Sequence, residues 1–315
     1  MRTIVVAFDG LRNEQRARLK TLAAGWRDIV YVPEKPASWD EILKGAEVVF
    51  GWPPPDALAH SSVLLHQLPS SGYDEYDIPA LTRRADFRLT TARGVGARAV
   101  AEHGLAFLLA FNRGLAAHIG QRRERSWQRV PPYRLLRGQT LCIVGLGAIG
   151  EELARLAGAL SMDVAAINRC VPANTSVGRI WSFSQQAEAL RIADHVVLTM
   201  ASTPGQKPIF SADQFAIMRP GSFFCNLARG GLVDEAALVS ALRSGQIAGA
   251  GLDAFAAEPL ADSSPFWSMP NVLITPHVAG RFVEETELLS ELFLDNLSRY
   301  KNCQPLRNLV IGRDA

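Results

Sequence analysis

The sequence predicts an α/β protein made of two parallel sheets, one of them doubly wound. Apolar strand-like runs alternate with helical patterns over residues 3–90, and the same alternation restarts at Thr140. A glycine-rich turn separates the strand-like run 141–144 from the helical pattern 151–160. Strands and helices that alternate at this spacing indicate βαβ units and therefore parallel sheets.

The composition is that of an ordinary globular protein with a large core. Of 315 residues, 48% are hydrophobic and 20% are charged, and the formal net charge is +2. This length suggests about two domains. A nearly neutral charge does not point to nucleic acid or an anionic membrane as a partner. No apolar segment reaches the length of a membrane span.

The cysteines and the N-terminus indicate a reducing compartment. Cys142 and Cys225 lie inside apolar runs, where a free thiol behaves as a small buried hydrophobe. No cysteine has the spacing of a metal ligand, so we expect no metal site. The first apolar run ends at Asp9 and is typical of a strand rather than a signal peptide. We therefore expect a cytoplasmic protein.

The N-terminal alternation predicts a small first domain. Strands are expected at 3–8, 29–32, 48–50, 64–65 and 88–90, and helices at 13–24 and 39–44. A long apolar helix is expected over 96–113, followed by an irregular basic arm over 121–137. The amphipathic pattern 284–301 predicts a helix that packs back on the first domain. That domain is therefore expected to be discontinuous, with residues 1–95 and 284–315.

The remaining residues, 96–283, are predicted to form a doubly wound Rossmann domain, which binds dinucleotides. Its strands are expected at 141–144, 164–167, 195–200, 222–226, 248–252 and 272–275. Its crossover helices are expected at 151–160, 184–191, 212–217 and 235–244.

Gly145, Gly147 and Gly150 form a G-x-G-x-x-G turn between a strand and a helix. The first glycine allows a sharp turn, the second leaves room for a pyrophosphate, and the third lets helix and strand pack closely. The phosphate would lie on the free N–H groups at the positive end of the helix. Because of its position, the motif predicts a dinucleotide site rather than a turn without a ligand.

The end of the next strand indicates which dinucleotide binds. NAD enzymes usually place an acidic residue there, about twenty residues past the glycines, to hold the ribose hydroxyls. This chain has Asn168 and Arg169 instead, with no carboxylate. Because an arginine can bind a 2′-phosphate, we predict NADP as the cofactor, with NAD as the alternative.

Arg229, Glu258 and His277 each follow an apolar strand within a few residues. Ligands of open α/β sheets bind beyond the carboxyl ends of the strands, so these side chains are candidates for one site. An arginine, a glutamate and a histidine placed there could serve as anion clamp, orienting acid and proton donor.

Through the glycine turn and these three linked motifs, the chain resembles the D-isomer-specific 2-hydroxyacid dehydrogenase family over about residues 70–299. The resemblance implies that Arg229 binds the carboxylate of a 2-oxo acid and polarises its carbonyl, a bidentate task suited to a guanidinium. His277 would protonate the carbonyl oxygen as hydride arrives. Glu258 would orient His277 and favour its imidazolium form. A homodimer built on the nucleotide domain is also implied.

The resemblance extends to further cofactor contacts. Asp253 would hold the carboxamide of the nicotinamide ring, and Arg229 and His277 would also touch the cofactor. The other implied contacts are Leu146, Ala148, Ile149, Ala201, Pro204, Leu227 and Ala228.

The first domain would then be a smaller, flavodoxin-like substrate domain. Its loop 70–74 is similar to the family's substrate loop, in which the N–H groups of Ser71 and Gly72 would bind the substrate carboxylate; an ordinary turn is the alternative. Trp52 could form a wall of the pocket or serve only in packing. His103 is expected to be structural. Ser71 and the pair 281–282 depart from the residues common in the family, which leaves the substrate's identity open.

The expected function is an NADPH-preferring reductase of a small 2-oxo acid such as glyoxylate or hydroxypyruvate. One alternative keeps the site but acts on phosphoglycerate, a larger 2-hydroxy acid or an inorganic oxyanion. The other is a non-catalytic protein that senses a dinucleotide, which would need none of Arg229, Glu258 and His277. Turnover with a panel of 2-oxo acids distinguishes the enzyme from the sensor.

Overall fold

The structure, a computed structural model, describes residues 2–130, 133–172, 175–203 and 205–312. The chain forms two compact units. The first consists of Met1–Gly96 and Phe282–Ala315, and the second of Ala97–Arg281. Each unit contains its own sheet.

The N-terminal residues alternate strands with helices. The elements are β1 (Thr3–Val6), α1 (Asn13–Ala23), β2 (Asp28–Tyr31), α2 (Trp39–Leu43), β3 (Ala46–Phe50), α3 (Pro55–Ala59), β4 (Leu65–Gln67), α4 (Ile78–Thr82) and β5 (Arg88–Thr90).

The second unit follows the same alternation after two consecutive helices. Its elements are α5 (Ala97–Asn112), α6 (Leu115–Glu124), β6 (Thr140–Val144), α7 (Ala148–Ala159), β7 (Asp163–Ile167), β8 (Arg179–Trp181), α8 (Gln186–Ile192), β9 (His195–Leu198), α9 (Ala212–Ile217), β10 (Ser222–Asn226), α10 (Glu235–Arg243), β11 (Ile247–Leu252) and β12 (Val272–Ile274). The chain then returns to the first unit with α11 (Glu285–Lys301) and β13 (Leu309–Ile311).

The sheet of the first unit has the order β13-β5-β4-β3-β1-β2, and only β13 runs antiparallel to its neighbour. The parallel part, in the order 2-1-3-4-5, is that of flavodoxin-like domains. Helix α11 packs its apolar side chains into the core of this unit, where the Phe293 ring stacks on the Phe50 ring with centroids 4.4 Å apart.

The sheet of the second unit has the order β12-β11-β10-β9-β6-β7-β8, and all of its strands are parallel. The strand order reverses at β6, which is the topology of a Rossmann domain. Every residue of β9 and β10 is buried, as expected for strands covered on both faces by helices. The predicted fold class is confirmed.

Several details of the sequence prediction were wrong. The second sheet contains a seventh strand, β8, which is only three residues long and carries no alternating pattern. The arm predicted to be irregular from residue 121 begins inside α6, a helix with no buried residue and therefore no apolar stripe to reveal it. Helix α7 begins at Ala148, inside the glycine turn.

Candidate active site

The three glycines of the turn after β6 meet three different physical demands. Gly145 has a φ of +105°, and a Cβ there would lie 2.6 Å from the Cβ of Met200. A Cβ on Gly150 would lie 2.2 Å from the carbonyl oxygen of Gly145. Gly147 is exposed, and no atom lies within 4 Å of the place where its Cβ would be. The turn is therefore tightly packed at both ends and open in the middle.

That open position is the N-cap of α7 and has no side-chain cap. The first N–H groups of a helix have no intrahelical acceptor, and together with the helix dipole they favour an anion. The N–H of Leu146 is already used, since it donates to Oδ1 of Asn168 at 3.1 Å. Ala148 and Ile149 begin the helix. The arrangement fits the pyrophosphate of a dinucleotide.

Asn168 and Arg169 follow β7, and they differ in their contacts: the Asn168 side chain is hydrogen-bonded and that of Arg169 is exposed. Besides accepting from Leu146, Asn168 donates from Nδ2 to the carbonyl oxygen of Cys170 at 2.8 Å. Its amide thus ties the glycine turn to the end of β7. Arg169 is exposed and has no hydrogen bond or ion pair with the residues that the structure describes. Its guanidinium is available to an anionic ligand.

Arg229 lies in the turn after β10, and the buried Asn226 fixes the shape of that turn. Asn226 Oδ1 accepts from the N–H of Ala228 at 3.0 Å. Its Nδ2 donates to the carbonyl oxygens of Arg229, at 3.1 Å, and of Ala254, at 3.4 Å. The side chain of Arg229 is partly buried, and its Nη1 donates to the carbonyl oxygen of Ala228 at 2.8 Å. One amide therefore links the arginine turn to the turn after β11.

The turns after β10 and β11 also meet through their backbones. A Cβ on Gly230 would lie 1.8 Å from the carbonyl carbon of Phe255, so only glycine allows this approach. Oε1 of Glu235 accepts from the N–H of Ala256 at 2.8 Å. Oε1 of Glu258 accepts from the N–H of Phe255 at 2.9 Å. The turns that carry Arg229 and Glu258 are consequently held against each other.

Glu258 and His277 form a hydrogen-bonded pair in which Nδ1 of the imidazole lies 2.8 Å from Oε2 of the carboxylate. Because a carboxylate can only accept, Nδ1 carries the proton of this bond. Nε2 is then the nitrogen left to exchange a proton with a ligand. His277 has a φ of +53°, a left-handed backbone conformation that is uncommon outside glycine.

Asp253, at the end of β11, is tied to the loop that carries His277. Only 2% of Asp253 is exposed. Its Oδ1 accepts from Thr275 Oγ1 at 2.6 Å and from the N–H of Val278 at 2.9 Å, and its Oδ2 accepts from the N–H of Ala279 at 3.0 Å. A carboxylate has about four acceptor sites. Three of them serve residues 275–279, which we term the histidine loop.

The remaining cofactor candidates differ in what they can present to a ligand. Ala201 is exposed on the loop after β9. Leu227 and Ala228 are buried, so only their backbone groups could reach a ligand. Pro204 lies outside the described residues.

The substrate candidates of the first unit lie in two loops. The loop at 70–74 is held by Ser70, whose Oγ donates to the carbonyl oxygen of Gly72 at 2.7 Å, and by Ser71, whose Oγ donates to the carbonyl oxygen of Ala92 at 3.2 Å. Within the described ranges, the N–H groups of Ser71 and Gly72 have no acceptor. Trp52 is partly buried and packs into the core, with its ring 5.9 Å from that of Phe8.

The described residues contain no cluster of three or more His, Cys, Asp and Glu side chains that could hold a metal ion. No helix within the four described ranges is both long and apolar enough to cross a membrane.

Sequence reasoning missed Asn226 and Thr275 as residues that shape the site. Each stands where an apolar strand run gives way to a loop, at the edge where ligands of such sheets bind. That position was the available signal. Asn226 bonds to Ala254 and Thr275 bonds to Asp253, partners that are distant in the sequence, and only the fold brings them together.

A Rossmann sheet with an open glycine turn at its switch point and a His–Glu pair beyond its carboxyl edge defines a dinucleotide-dependent dehydrogenase. Residues 105–279 match the family model described as D-isomer specific 2-hydroxyacid dehydrogenase, NAD binding domain. The chain belongs to the D-isomer specific 2-hydroxyacid dehydrogenase family, as its motifs predicted. It is an NAD(P)-dependent enzyme of that family.

Similar proteins show how far the likeness extends. The chain is 31% identical to the (S)-sulfolactate dehydrogenase of Chromohalobacter salexigens over 93% of its own length and 91% of that protein. It is 33% identical to the glyoxylate reductase of Pyrococcus furiosus over 73% of its length and 70% of that protein. A D-isomer specific 2-hydroxyacid dehydrogenase from Xanthobacter autotrophicus Py2, solved in complex with NADPH and MES, superposes with a TM-score of 0.77 at 27% identity, covering 98% of this chain and 97% of that one.

Proposed function

We propose that the protein is an NADPH-preferring reductase of a small 2-oxo acid, such as glyoxylate or hydroxypyruvate. The observation that carries the proposal is the Glu258–His277 pair, held beside a separately fixed arginine turn. A proton donor and an anion-binding guanidinium are the two groups that reduction of a 2-oxo acid requires.

The chain's own residues would act on the substrate as follows. When bound, the reduced nicotinamide supplies the hydride that adds to C2 of the substrate. Nε2 of His277 delivers a proton to the carbonyl oxygen, so that the 2-oxo acid becomes a 2-hydroxy acid. Glu258 keeps the imidazole oriented through its hydrogen bond to Nδ1. Arg229 binds the carboxylate and draws electron density from the carbonyl. In the oxidation, His277 takes the proton back.

We also propose that the loop at 70–74 binds a substrate carboxylate. The N–H groups of Ser71 and Gly72 are adjacent in the chain and lie in a loop whose side-chain bonds hold it in shape. Successive N–H groups in a turn form a binding site for an anion. Trp52 would contribute mainly through packing that supports its own loop.

The preference for NADPH rests on Arg169. An exposed guanidinium at the end of β7, with no carboxylate beside it in the segment 167–170, favours a 2′-phosphate over a free 2′-hydroxyl. The complex of the Xanthobacter autotrophicus Py2 protein with NADPH supports the same choice.

The experiment is turnover of purified protein with NADPH or NADH and a panel of 2-oxo acids, followed by loss of nicotinamide absorbance. The panel contains glyoxylate, hydroxypyruvate, 3-phosphohydroxypyruvate and sulfopyruvate. The highest kcat/KM is expected for glyoxylate or hydroxypyruvate with NADPH. No oxidation with any acid would favour a dinucleotide sensor, and a clear preference for NADH would remove the argument from Arg169.

Sulfopyruvate is in the panel because of a specific finding. The (S)-sulfolactate dehydrogenase of Chromohalobacter salexigens matches nearly the whole length of this chain. Oxidation of sulfolactate gives sulfopyruvate, which is a 2-oxo acid with a second anionic group. A sulfonated substrate is therefore our second candidate, and a kcat/KM for sulfopyruvate above that for glyoxylate would establish it.

We also propose a homodimer built on the second unit, in the reducing environment of the cytoplasm. Large apolar side chains are exposed on α6 and the segment after it, including Ile119 at 60% and Leu135 at 68% exposure. Burial of exposed apolar side chains against a second copy of the chain favours association. The four cysteines are free thiols, which suits a reducing compartment. Light scattering of the purified protein tests the dimer, and a monomer mass would contradict it.

A further inference from the structure

We propose that His103 is a positioning residue for His277, acting through a hydrogen-bond chain that runs from His103 to Thr275 and Asp253. The proposal rests on the proton-transfer function proposed above for His277. None of these three residues needs to touch the substrate for this hydrogen-bond chain to position His277.

The hydrogen-bond chain connects α5 to the histidine loop. Nε2 of His103, on α5, lies 3.0 Å from Oγ1 of Thr275. Oγ1 of Thr275 donates in turn to Oδ1 of Asp253 at 2.6 Å. The same carboxylate accepts the N–H groups of Val278 and Ala279.

The direction of each bond follows from the donors and acceptors available. The Asp253 carboxylate can only accept, so the single hydroxyl proton of Thr275 points toward it. Thr275 Oγ1 then has only lone pairs to offer to His103. Nε2 of His103 must therefore carry a proton and donate it to Thr275. Burial lowers the pKa of His103, and the negative charge of Asp253 opposes that effect, so the ring is neutral near pH 7 in its Nε2–H tautomer.

The hydrogen-bond chain fixes the histidine loop on both sides of His277. Thr275 precedes the histidine by two residues, and Val278 and Ala279 follow it directly. All three bond to Asp253, which is 2% exposed and has little freedom to move. His277 itself has a φ of +53°. A backbone in this sparsely populated region persists only when its surroundings hold it there.

His103 matters because it fixes the orientation of the Thr275 hydroxyl. An N–H donated to Oγ1 occupies a lone pair and leaves the carboxylate as the acceptor for the hydroxyl proton. Hydrogen bonds arranged in such a chain strengthen one another in a buried setting. The His103 ring is held edge-on against Phe107, with centroids 4.7 Å apart. Without the donor, Thr275 could rotate, and Asp253 would lose one of its three ties to the loop.

The test compares His103→Gln with His103→Leu in the full-length enzyme. The Nε2 of glutamine can replace the donor, whereas leucine fills similar space without one. His103→Leu is expected to lower kcat about tenfold, as a small displacement of a reacting group does, with the KM for cofactor and substrate within about twofold. His103→Gln is expected to recover most of that loss. Equal kcat for His103→Leu and wild type at similar Tm would overturn the proposal, and so would a glutamine variant as slow as the leucine variant.

A second pair of variants tests the middle of the chain. Thr275→Ser keeps the hydroxyl and Thr275→Val removes it with almost no change of shape. We expect Thr275→Val to resemble His103→Leu and Thr275→Ser to resemble wild type. The double variant His103→Leu/Thr275→Val should be no slower than the slower single variant, because both break the same chain. If the fold-losses in kcat of the two single variants multiplied in the double variant, the two residues would act independently, which would contradict the proposal.

One measurement separates this proposal from the proposed function. Nitrogen-15 NMR of the six histidines reports their tautomers without any turnover. The spectrum of His103, assigned by its absence in His103→Gln, should show the Nε2–H tautomer near pH 7. An Nδ1–H tautomer would overturn the proposed role of His103 even if the enzyme were active. If no 2-oxo acid were turned over while His103 kept the Nε2–H tautomer, the proposed function would be contradicted and the hydrogen-bond chain would not.

Discussion

Nδ1 of His277 lies 2.8 Å from Oε2 of Glu258, whose other oxygen accepts the N–H of Phe255 at 2.9 Å. One carboxylate therefore orients the imidazole and at the same time closes the turn from which the glutamate projects. Both oxygens are needed as acceptors. Because of this double use, we expect that an amide cannot replace the carboxylate, although it has nearly the same shape.

Glu258→Gln is expected to lower kcat by about tenfold to a hundredfold, a loss smaller than removal of the general acid itself. Glutamine has one acceptor oxygen, so either Phe255 loses its partner or His277 faces an NH₂ group that favours the wrong tautomer. Steady-state kinetics with NADPH measures the effect. Glu235→Gln is the matched control, because among the described residues Glu235 accepts a single hydrogen bond, from the neighbouring turn. Equal losses in the two variants would contradict the special role of Glu258.

Arg169→Ala is expected to raise the KM for NADPH about tenfold and leave that for NADH within about twofold, since only the 2′-phosphate requires a cation. Arg191→Ala is the control, as Arg191 is another exposed arginine of the same unit, on α8. The ratio of kcat/KM for the two cofactors is the measurement. If kcat/KM fell equally with both cofactors, Arg169 would serve to hold the turn in shape and would not bind the 2′-phosphate.

The sequence predicted the strands of both sheets well where long apolar runs define them, as at 141–144 and 222–226. It missed β8 and β13, which have three residues each and no alternation to recognise. The glycine turn, Arg229, Glu258 and His277 could be identified because their types and spacing are specific. The bonds from Asn226 to Ala254, from Thr275 to Asp253 and from His103 to Thr275 could not, because they join residues far apart in the chain and depend on the fold itself.

Acid is expected to destabilise the protein through two buried histidines. Burial lowers the pKa of His66 and of His195 to about 4, from an ordinary value of 6.5. Such a group contributes stability that is fully present above pH 6.5 and is lost as pH falls toward 4, because the unfolded chain takes up the proton first. Each histidine should cost up to about 3 kcal/mol of unfolding free energy by pH 4.

His66→Gln isolates one of these contributions. Nε2 of His66 contacts the carbonyl oxygen of Gly51 at 3.0 Å, and the glutamine amide can donate to the same oxygen without titrating. Urea unfolding near neutral pH and at about pH 4.5 should show a smaller loss of stability in this variant than in wild type. An unchanged pH dependence would remove His66 as a source of acid sensitivity.

The left-handed backbone of His277 leads to a prediction about stability that is independent of catalysis. At a φ of +53° a Cβ is unfavourable, whereas glycine adopts this conformation freely. His277→Gly should therefore be more stable than His277→Ala by about 1 kcal/mol, although both lack the imidazole and should reduce kcat at least about a hundredfold. His118, inside α6, is the control position. There the alanine variant should be more stable than the glycine variant, because alanine in a helix is more favourable than glycine by about 1 kcal/mol. Urea unfolding of the four variants measures the order of stability at both positions. If the alanine variant were the more stable at both positions, the histidine loop would not hold a strained backbone, and the ties from Asp253 would lose their physical reason.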